Sequence, residues 1–399
     1  MLSELTARRI TGDYAKSPQS PRAQPYPVHK GIRPSFETPV PPMRILLIGH
    51  YSPPRGGVQT HIVTLHEYLK AHEVSCEVID MGPQRKTNGM GIYGPRTALD
   101  VVRLLLKLRY DVVHLHVGGN LTDRLTLLAL LCATIPPRKA MLTFHSGGYP
   151  SSPAGRAARP RSLRGLALRK LSYVIAVNEE IRNWFGQVGV DPGRIRLIPP
   201  HALPASPPAV KLPERLQSFF AAHEPVLVSV GGLEPQYDVP LQIEALHAIR
   251  EKFPRAGLVI VGAGSLQKEL EQRIAGEPLG KHVLLSGDLA REVTLRVIAD
   301  SDVMLRTTLY DGDAISVREA VQFGVPVVAS DRAPRPEGVR VVPAQNLSHL
   351  KEEIEQCLLE GARGPVVGEA SEENLDAIMA LYEKVVNESA PPKTKRAES

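Results

Sequence analysis

Two rhythms of apolar residues alternate along this chain. Short continuous runs read as buried strands, and longer stretches repeat an apolar residue every three or four positions, as a helix with one buried face does. RILLIG at 44–49 is the first strand, closed by the turn residues His50, Ser52, Pro53 and Pro54. After Gly56 and Gly57 comes a predicted helix over 58–71, with Ile62, Leu65 and Leu69 on one face. The alternation continues with strand 74–80, helix 97–108, strand 111–116, helix 121–132 and strands 140–144 and 174–177. Apolar strands alternating with helices predict a parallel sheet covered on both faces, so the fold class is α/β.

Residues 199–213 (PPHALPASPPAVKLP) hold six prolines, the signature of a semi-rigid boundary between domains. Beyond it strands 226–230, 257–261, 283–286 and 302–305 alternate with helices 241–252, 266–275 and 293–299. Two polar helices, 348–359 and 372–387, follow. The pattern predicts a doubly wound domain over 43–202, a linker over 203–222, a second doubly wound domain over 223–370 and a terminal helix over 371–388. The Pro- and Ser-rich stretch 1–42 and the tail 389–399 lack an apolar period and read as disordered.

The chemistry concentrates in LRTTLYDGDAISVREAVQFGVPVVASD, residues 305–331. Asp311, Gly312 and Asp313 form a turn, residues 315–323 have helical spacing, and Gly324 with Pro326 stops that helix before strand 325–329. A helix N-terminus is thereby placed at the C-terminal edge of a parallel sheet. Its N–H groups and positive dipole end suit a diphosphate, and open α/β sheets bind ligands at this edge. Ser316-x-x-Glu319 equally fits a capping box, and Asp313 equally caps the turn.

Composition adds limits. With 43% hydrophobic and 23% charged residues among 399, the chain is an ordinary globular protein, and a net charge of +6 is too small to argue for nucleic acid. Cys76, Cys132 and Cys357 lie far apart without metal-ligand spacing, which reads as reduced, buried thiols in the cytoplasm. Residues 1–42 show no apolar signal segment, and the most apolar run, 125–137, is too short to span a bilayer. GRAARPRSLRGLALRKL at 155–171 interleaves Arg156, Arg159, Arg161, Arg164, Arg169 and Lys170 with Leu163, Leu166, Leu168 and Leu171. It reads either as a basic amphipathic helix lying on an anionic membrane surface or as the solvated face of a docking helix.

Several segments, in order and at their spacing, resemble the GT-B glycosyltransferases, most nearly the retaining family 4 (glycosyl transferases group 1). They are HYSPPRGGVQTHIVTLHEYL (50–69), DVVHLH (111–116), LTFHSGG (142–148), IRLIPP (195–200), PVLVSVGGLEPQ (225–236), LVIVGAGSLQKEL (258–270) and DGDAISVREAVQFGVPVVAS (311–330). The resemblance implies two Rossmann-like doubly wound domains facing each other across a cleft, the first binding the acceptor and the second a nucleotide-sugar. It implies retaining transfer of a sugar to a glycan or lipid-linked acceptor in polysaccharide or glycoconjugate synthesis. No metal or other cofactor is implied, and the cytoplasmic enzyme would lie against the membrane face through residues 156–170.

By the same resemblance, the N–H groups around Ala314, Ile315 and Ser316 hold the donor phosphates, Gly312 and Asp313 belong to the donor site, and Gly56 and Gly57 approach from the other domain. Glu319 accepts hydrogen bonds from ribose hydroxyls, and Asp311, standing where the family usually has Glu, contacts the donor sugar. His145 lies near the reacting carbon. His114 reads as core and His116, on the same strand face, as an edge of the site. One departure stands out: the family's Arg and Lys beside the diphosphate are Gly232 and Tyr237 here. Arg306 is the first candidate to replace them, ahead of Arg55 and Arg335, while Arg318 reads more simply as a solvated helix residue. The departure also keeps open a non-catalytic, nucleotide-binding partner subunit. An epimerase or phosphorylase has only shared architecture in its favour.

Overall fold

A computed structural model describes residues 43–51, 56–83, 90–136, 139–200, 206–275, 278–361, 363–364 and 372–388. The expectations for 1–42, for 389–399 and for Arg55 fall outside these residues. The first half runs β1 (Arg44–Gly49), α1 (Gly57–Ala71), β2 (Ser75–Asp80), β3 (Ile92–Tyr93), α2 (Ala98–Lys107), β4 (Val112–Val117) and α3 (Asp123–Thr134). It continues through β5 (Ala140–Phe144), α4 (Pro153–Ala157), α5 (Leu163–Lys170), β6 (Tyr173–Ala176), α6 (Glu179–Gln187) and β7 (Ile195–Leu197). The second half runs α7 (Glu214–Ala222), β8 (Val226–Val230), α8 (Val239–Arg250), β9 (Gly257–Val261), α9 (Gln267–Ala275), β10 (Val283–Gly287) and α10 (Arg291–Asp300). It ends with β11 (Val303–Arg306), α11 (Ile315–Gln322), β12 (Val327–Ser330), β13 (Arg340–Val342), α12 (Leu347–Glu360) and α13 (Glu373–Asn387).

Each half builds one parallel sheet, ordered β3-β2-β1-β4-β5-β6-β7 and β10-β9-β8-β11-β12-β13. In both, the chain starts mid-sheet, winds to one edge, returns and winds to the other. The reversal leaves a crevice between the C-terminal ends of β1 and β4, and of β8 and β11, where a doubly wound sheet takes its ligand. The central strands are buried on both faces, as continuous apolar runs require. One face of the first sheet packs against α2, α3, α5 and α6. The other packs against α1 and, from the far end of the chain, Leu375, Ile378, Leu381, Tyr382 and Val385 of α13. The Tyr382 hydroxyl lies 2.6 Å from His114 Nδ1, whose other nitrogen meets the Thr143 hydroxyl at 2.8 Å, so His114 is a fully partnered core residue.

Two local expectations change. The predicted linker 203–222 ends in α7, because Leu216 and Phe219 find places in the second domain's core. The single basic helix read at 155–171 is two short helices, α4 and α5. Pro160 separates them, and the Ser152 and Ser162 side chains each accept a hydrogen bond that starts a new turn.

Candidate functional site

Both crevices open into one cleft of about 270 Å³. The N-terminal domain contributes Gly56, Gly57 and His145, and the C-terminal domain Gly231, Gly232, Tyr237, Arg291, Arg306, the turn 311–314 and Ile315, Ser316 and Glu319 of α11. The eleven residues named from the sequence as catalytic or donor-binding therefore line one space.

The C-terminal wall is built on ion pairs. Arg306 ends β11 with its side chain buried. Nε and Nη2 donate to the two carboxylate oxygens of Asp311 at 2.9 and 3.1 Å, and Nη1 donates to the Val230 carbonyl at 2.8 Å. These bonds use three of the five N–H groups of a guanidinium. Arg335 approaches Asp311 from behind, donating from Nη1 at 3.1 Å. Burial alone would raise the Asp311 carboxyl, but Arg306 and then Arg335 hold it below the usual carboxylate range. The carboxylate aimed by sequence reasoning at sugar hydroxyls is thus already held by two arginines, the Thr308 hydroxyl and the Gly312 N–H.

This arrangement bears on the missing Arg and Lys. The Arg306 guanidinium lies 4.9 Å from the centroid of the Tyr237 ring, and its Nη1 is 3.1 Å from where a Cβ on Gly231 would stand. A cation from β11 therefore reaches the space beside Gly231 and Gly232, with Tyr237 laid over it. Arg335 is not itself a lining residue of either cavity, and it acts by holding Asp311 and the Ser330 carbonyl. Arg318 is not simply solvated: its Nε and Nη2 close onto Asp313 at 2.8 and 2.6 Å.

Helix α11 begins at Ile315 with Ala314 as its N-cap and no side-chain cap. The capping box is not formed. Glu319 is instead buried and lies 2.7 Å from Arg291 of α10. Burial raises its carboxyl above the ordinary value, and Arg291 partly offsets this. Sequence reasoning missed Arg291, which sits just after a Gly-Asp turn in a helix with no motif of its own.

The N-terminal wall is different. His145 follows β5 and packs beside His61 and His116, with ring centroids 5.1 and 5.8 Å away. Burial first, and then the neighbouring His61 and His114, push His145 well below its ordinary value near 6.5, so it is neutral at pH 7. His116 is buried beneath it and absent from the cleft lining, so it is not the edge residue expected. Among the described residues His61, His116 and His145 could hold a metal ion, their ligand atoms lying within 4.8 Å of one another.

The two walls meet backbone to backbone. Asn178 Nδ2 donates to the Gly312 carbonyl at 2.9 Å. A Cβ on Gly147 would fall 1.7 Å from the Asp311 carbonyl oxygen, and one on Gly312 2.3 Å from that of His145. Only glycines permit this approach. At Gly56, by contrast, a Cβ would meet no atom within 4 Å, and at Gly57 only Ile315 Cδ1 at 4.0 Å. Beyond the Gly147–Gly312 contact lies a second cavity of about 700 Å³, lined by Asn120, Ser146, Ser151, Glu180 and Tyr310 and sharing His145, Arg306 and Asp311 with the first.

The family model for glycosyl transferases group 1 matches residues 212–362, and that for the glycosyl transferase 4-like domain matches 54–201. The UDP-Gal:alpha-D-GlcNAc-diphosphoundecaprenol alpha-1,3-galactosyltransferase of Escherichia coli is 26% identical over 244 residues, 59% of this chain and 62% of that enzyme's length. The GDP-mannose-dependent alpha-(1-6)-phosphatidylinositol monomannoside mannosyltransferase of Mycolicibacterium smegmatis is 23% identical over 74% of this chain and 82% of its own. Anabaena HepE, solved with UDP and glucose, superposes with a TM-score of 0.61 over 87% of this chain and 98% of its own at 18% identity. With both halves matched in order and two doubly wound domains enclosing one cleft, the chain belongs to the group 1, family 4-type glycosyltransferases of GT-B fold.

Proposed function

We propose that this protein transfers a sugar, with retention of configuration, from a nucleoside diphosphate sugar in the first cavity to a glycan or lipid-linked acceptor in the second. The observation that carries this reading is one surplus cation among the buried ion pairs of the C-terminal wall, whose rim also carries the exposed Asp288. Arg306 and Arg335 share the single carboxylate of Asp311, whereas Arg318–Asp313 and Arg291–Glu319 each balance. An unbalanced buried cation beside an uncapped helix N-terminus favours an anion in the cleft.

In transfer the anomeric C–O bond to phosphate breaks, a C–O bond to the acceptor hydroxyl forms, and the acceptor proton leaves with the diphosphate. The sugar passes through an oxocarbenium-like state while negative charge grows on the leaving group. Arg306 and the N–H groups of Ala314, Ile315 and Ser316 are set to take that charge. The open space before Gly56 and Gly57 admits the diphosphate, and Glu319, steadied by Arg291, accepts from ribose hydroxyls. Neutral His145 stands at the passage between the cavities and offers a polar edge to the sugar without adding charge. No metal takes part, so a chelator leaves the rate unchanged.

The two named relatives use UDP- and GDP-sugars respectively, so the base is settled by a thermal-shift screen with UDP, GDP, ADP and their sugar conjugates. A nucleotide at 100 times its dissociation constant adds about 2.7 kcal/mol to stability. The shift is expected with one base and lost in Glu319→Ala. Absence of any shift would overturn the reading. Nucleotide binding without release of sugar from any conjugate would favour the non-catalytic subunit, for which the loss of cations at Gly232 and Tyr237 is the one specific observation.

A further inference from the structure

The second cavity is walled by both domains and differs in chemistry from the first. Arg306 and Asp311, which it shares with the first, are paired with each other, and Arg332 is paired with Asp331 at 3.3 Å. Glu180, in the first turn of α6, is the one charged lining residue without a charged partner among the described residues. Its Oε1 accepts from the Ser151 hydroxyl at 2.6 Å. From the C-terminal domain comes Tyr310, 50% exposed and the one exposed Tyr, Phe or Trp among the described residues. Its place is fixed. The Leu309 N–H donates to the Gln236 carbonyl at 2.8 Å on one side, and Asp311 is gripped by Arg306 on the other. The ring lies on Gly148, where a Cβ would fall 2.4 Å from Tyr310 Cδ2 and 2.7 Å from Cγ. Gly147 thus admits the backbone of Asp311, and Gly148 admits the ring of Tyr310. A tyrosine pinned against a glycine on one side and bare to a cavity on the other is not a core residue.

We propose that Tyr310 is the platform on which the acceptor lies, and that the acceptor ends in a neutral pyranose. This rests on the transfer reading above and adds the chemistry of the acceptor to it. A face of a pyranose that carries C–H bonds meets the negative face of an aromatic ring, while the hydroxyls around its rim need hydrogen-bond partners. Glu180, Asn120 and Ser152 line the same cavity and supply them. An ionised carboxylate only accepts, so Glu180 bonds sugar hydroxyls and repels a uronic acid or a phosphorylated sugar. A hydroxyl without a ring, on a polyol or a hydroxylated side chain, gains nothing from the bare face of Tyr310. Tyr310 and Glu180 stand on different domains, so the C-terminal wall shares in recognising an acceptor that the family resemblance assigned to the first domain.

The test follows nucleotide release from the conjugate that the wild type uses, with octyl glycosides of glucose, galactose, mannose and N-acetylglucosamine as acceptor probes. Octyl glucuronide probes charge, and octyl glycerol ether, which has hydroxyls but no ring, probes stacking. At least one neutral glycoside should raise release above the rate with water alone, and the glucuronide and the ether should not. Tyr310→Ala should raise KM for that glycoside at least about tenfold with kcat nearly unchanged, since the lost contact is common to ground and transition states. Tyr310→Trp should keep KM within about threefold of wild type, because a platform needs the ring and not the hydroxyl. Glu180→Gln should let octyl glucuronide stimulate release. The nucleotide thermal shift in each variant establishes that the fold and the donor site are intact. Stimulation by octyl glycerol ether as strong as by the glycosides, or an unchanged KM in Tyr310→Ala, would overturn the proposal. So would a fall in kcat at unchanged KM, which would make Tyr310 a prop for Asp311. Release to water that no glycoside stimulates would overturn this proposal alone, whereas no release from any conjugate would overturn the transfer reading beneath it as well.

Discussion

The N-terminal wall of the cleft buries its polar side chains as neutral imidazoles, whereas the C-terminal wall buries them as ion pairs. His114, His116 and His145, held neutral by burial, pack with one another and with His61, neighbouring centroids lying 4.2 to 5.8 Å apart. Across the cleft, Asp311, Asp313 and Glu319 each face at least one guanidinium. His114 is bonded at both ring nitrogens while His116 Nε2 has no partner, and a neutral ring is in either case cheaper to bury than an unpaired charge. The formal charge presented to a ligand is therefore decided on one side only. The other side supplies close backbone approach and a polar edge, which lets the walls meet without electrostatic conflict.

Removing Arg306 strikes this contrast hardest. Arg306→Met deletes the surplus cation, and transfer should fall by about 10²- to 10³-fold, the usual loss for a preorganised donor at a developing oxyanion. Stability should also fall, by about 3 kcal/mol, since a buried ion pair is opened while Arg335 still holds Asp311. Turnover must be measured well below the new melting temperature. Arg306→Lys restores charge but not the two-pronged grip on Asp311 and should recover only part of the rate. Wild-type turnover in Arg306→Met would mean that the charge of this wall does not face the leaving group.

Why Arg306 could be named from sequence, and its setting could not, is physical. Its position at the end of an apolar strand is a matter of period, and period fixes which strand ends share a sheet edge. The two doubly wound domains were legible for the same reason, whereas the gathering of Gly56, His145 and Glu319 at one cleft was implied by the family resemblance. The partners were not legible. Asp311 is held by Arg335, 24 residues away, and Glu319 by Arg291 on another helix. Such pairs depend on side-chain reach across the packed wall and leave no spacing signal. The histidine stack combines α1, β4 and β5, and only parallel register brings His116 beside Thr143 and the end of β5. The break between α4 and α5 was visible in principle, since Pro160 interrupts the basic run, but the charge pattern outweighed it.

The glycine contact sharpens the comparison at lower cost to the fold. In Gly147→Ala the new Cβ meets backbone, the Asp311 carbonyl oxygen at 1.7 Å and Gly312 Cα at 2.7 Å, so the walls themselves must part. A displacement of about 1 Å at reacting groups can cost about 10²-fold in rate. The loss should appear in kcat, while the nucleotide thermal shift, which depends on the C-terminal wall, stays close to wild type. Gly56→Ala is the counterpart. With no atom within 4 Å of its Cβ, it should leave stability within about 0.5 kcal/mol and weaken only the binding of a ligand that needs that space.

The comparison also predicts a pH response that differs between the walls. Burial holds His114 at about 3 and lowers His116 and His145 well below 6.5, while His66, buried and near Lys70, sits at about 4. In the unfolded chain these imidazoles take up protons near pH 6.5, but in the folded protein they do so only at far lower pH. Their contribution is therefore complete above pH 6.5 and is lost as pH falls towards the folded values. At pH 5 His114 alone should cost about 2 kcal/mol. Asp311 is also shifted downwards, below 3.8, but in favour of its charged form, so its ion pairs persist until the pH falls through that lower value. Between pH 6.5 and 4.5 the N-terminal domain should weaken while the Arg306–Asp311 pair is untouched. Trp184, the single tryptophan, is buried in the core of the N-terminal domain and reports its unfolding directly. A denaturant midpoint followed by its fluorescence should fall steadily over that range. A midpoint that stays flat from pH 7 to 5 would mean that the imidazoles are not held neutral, and the division of charge between the walls would fail with it.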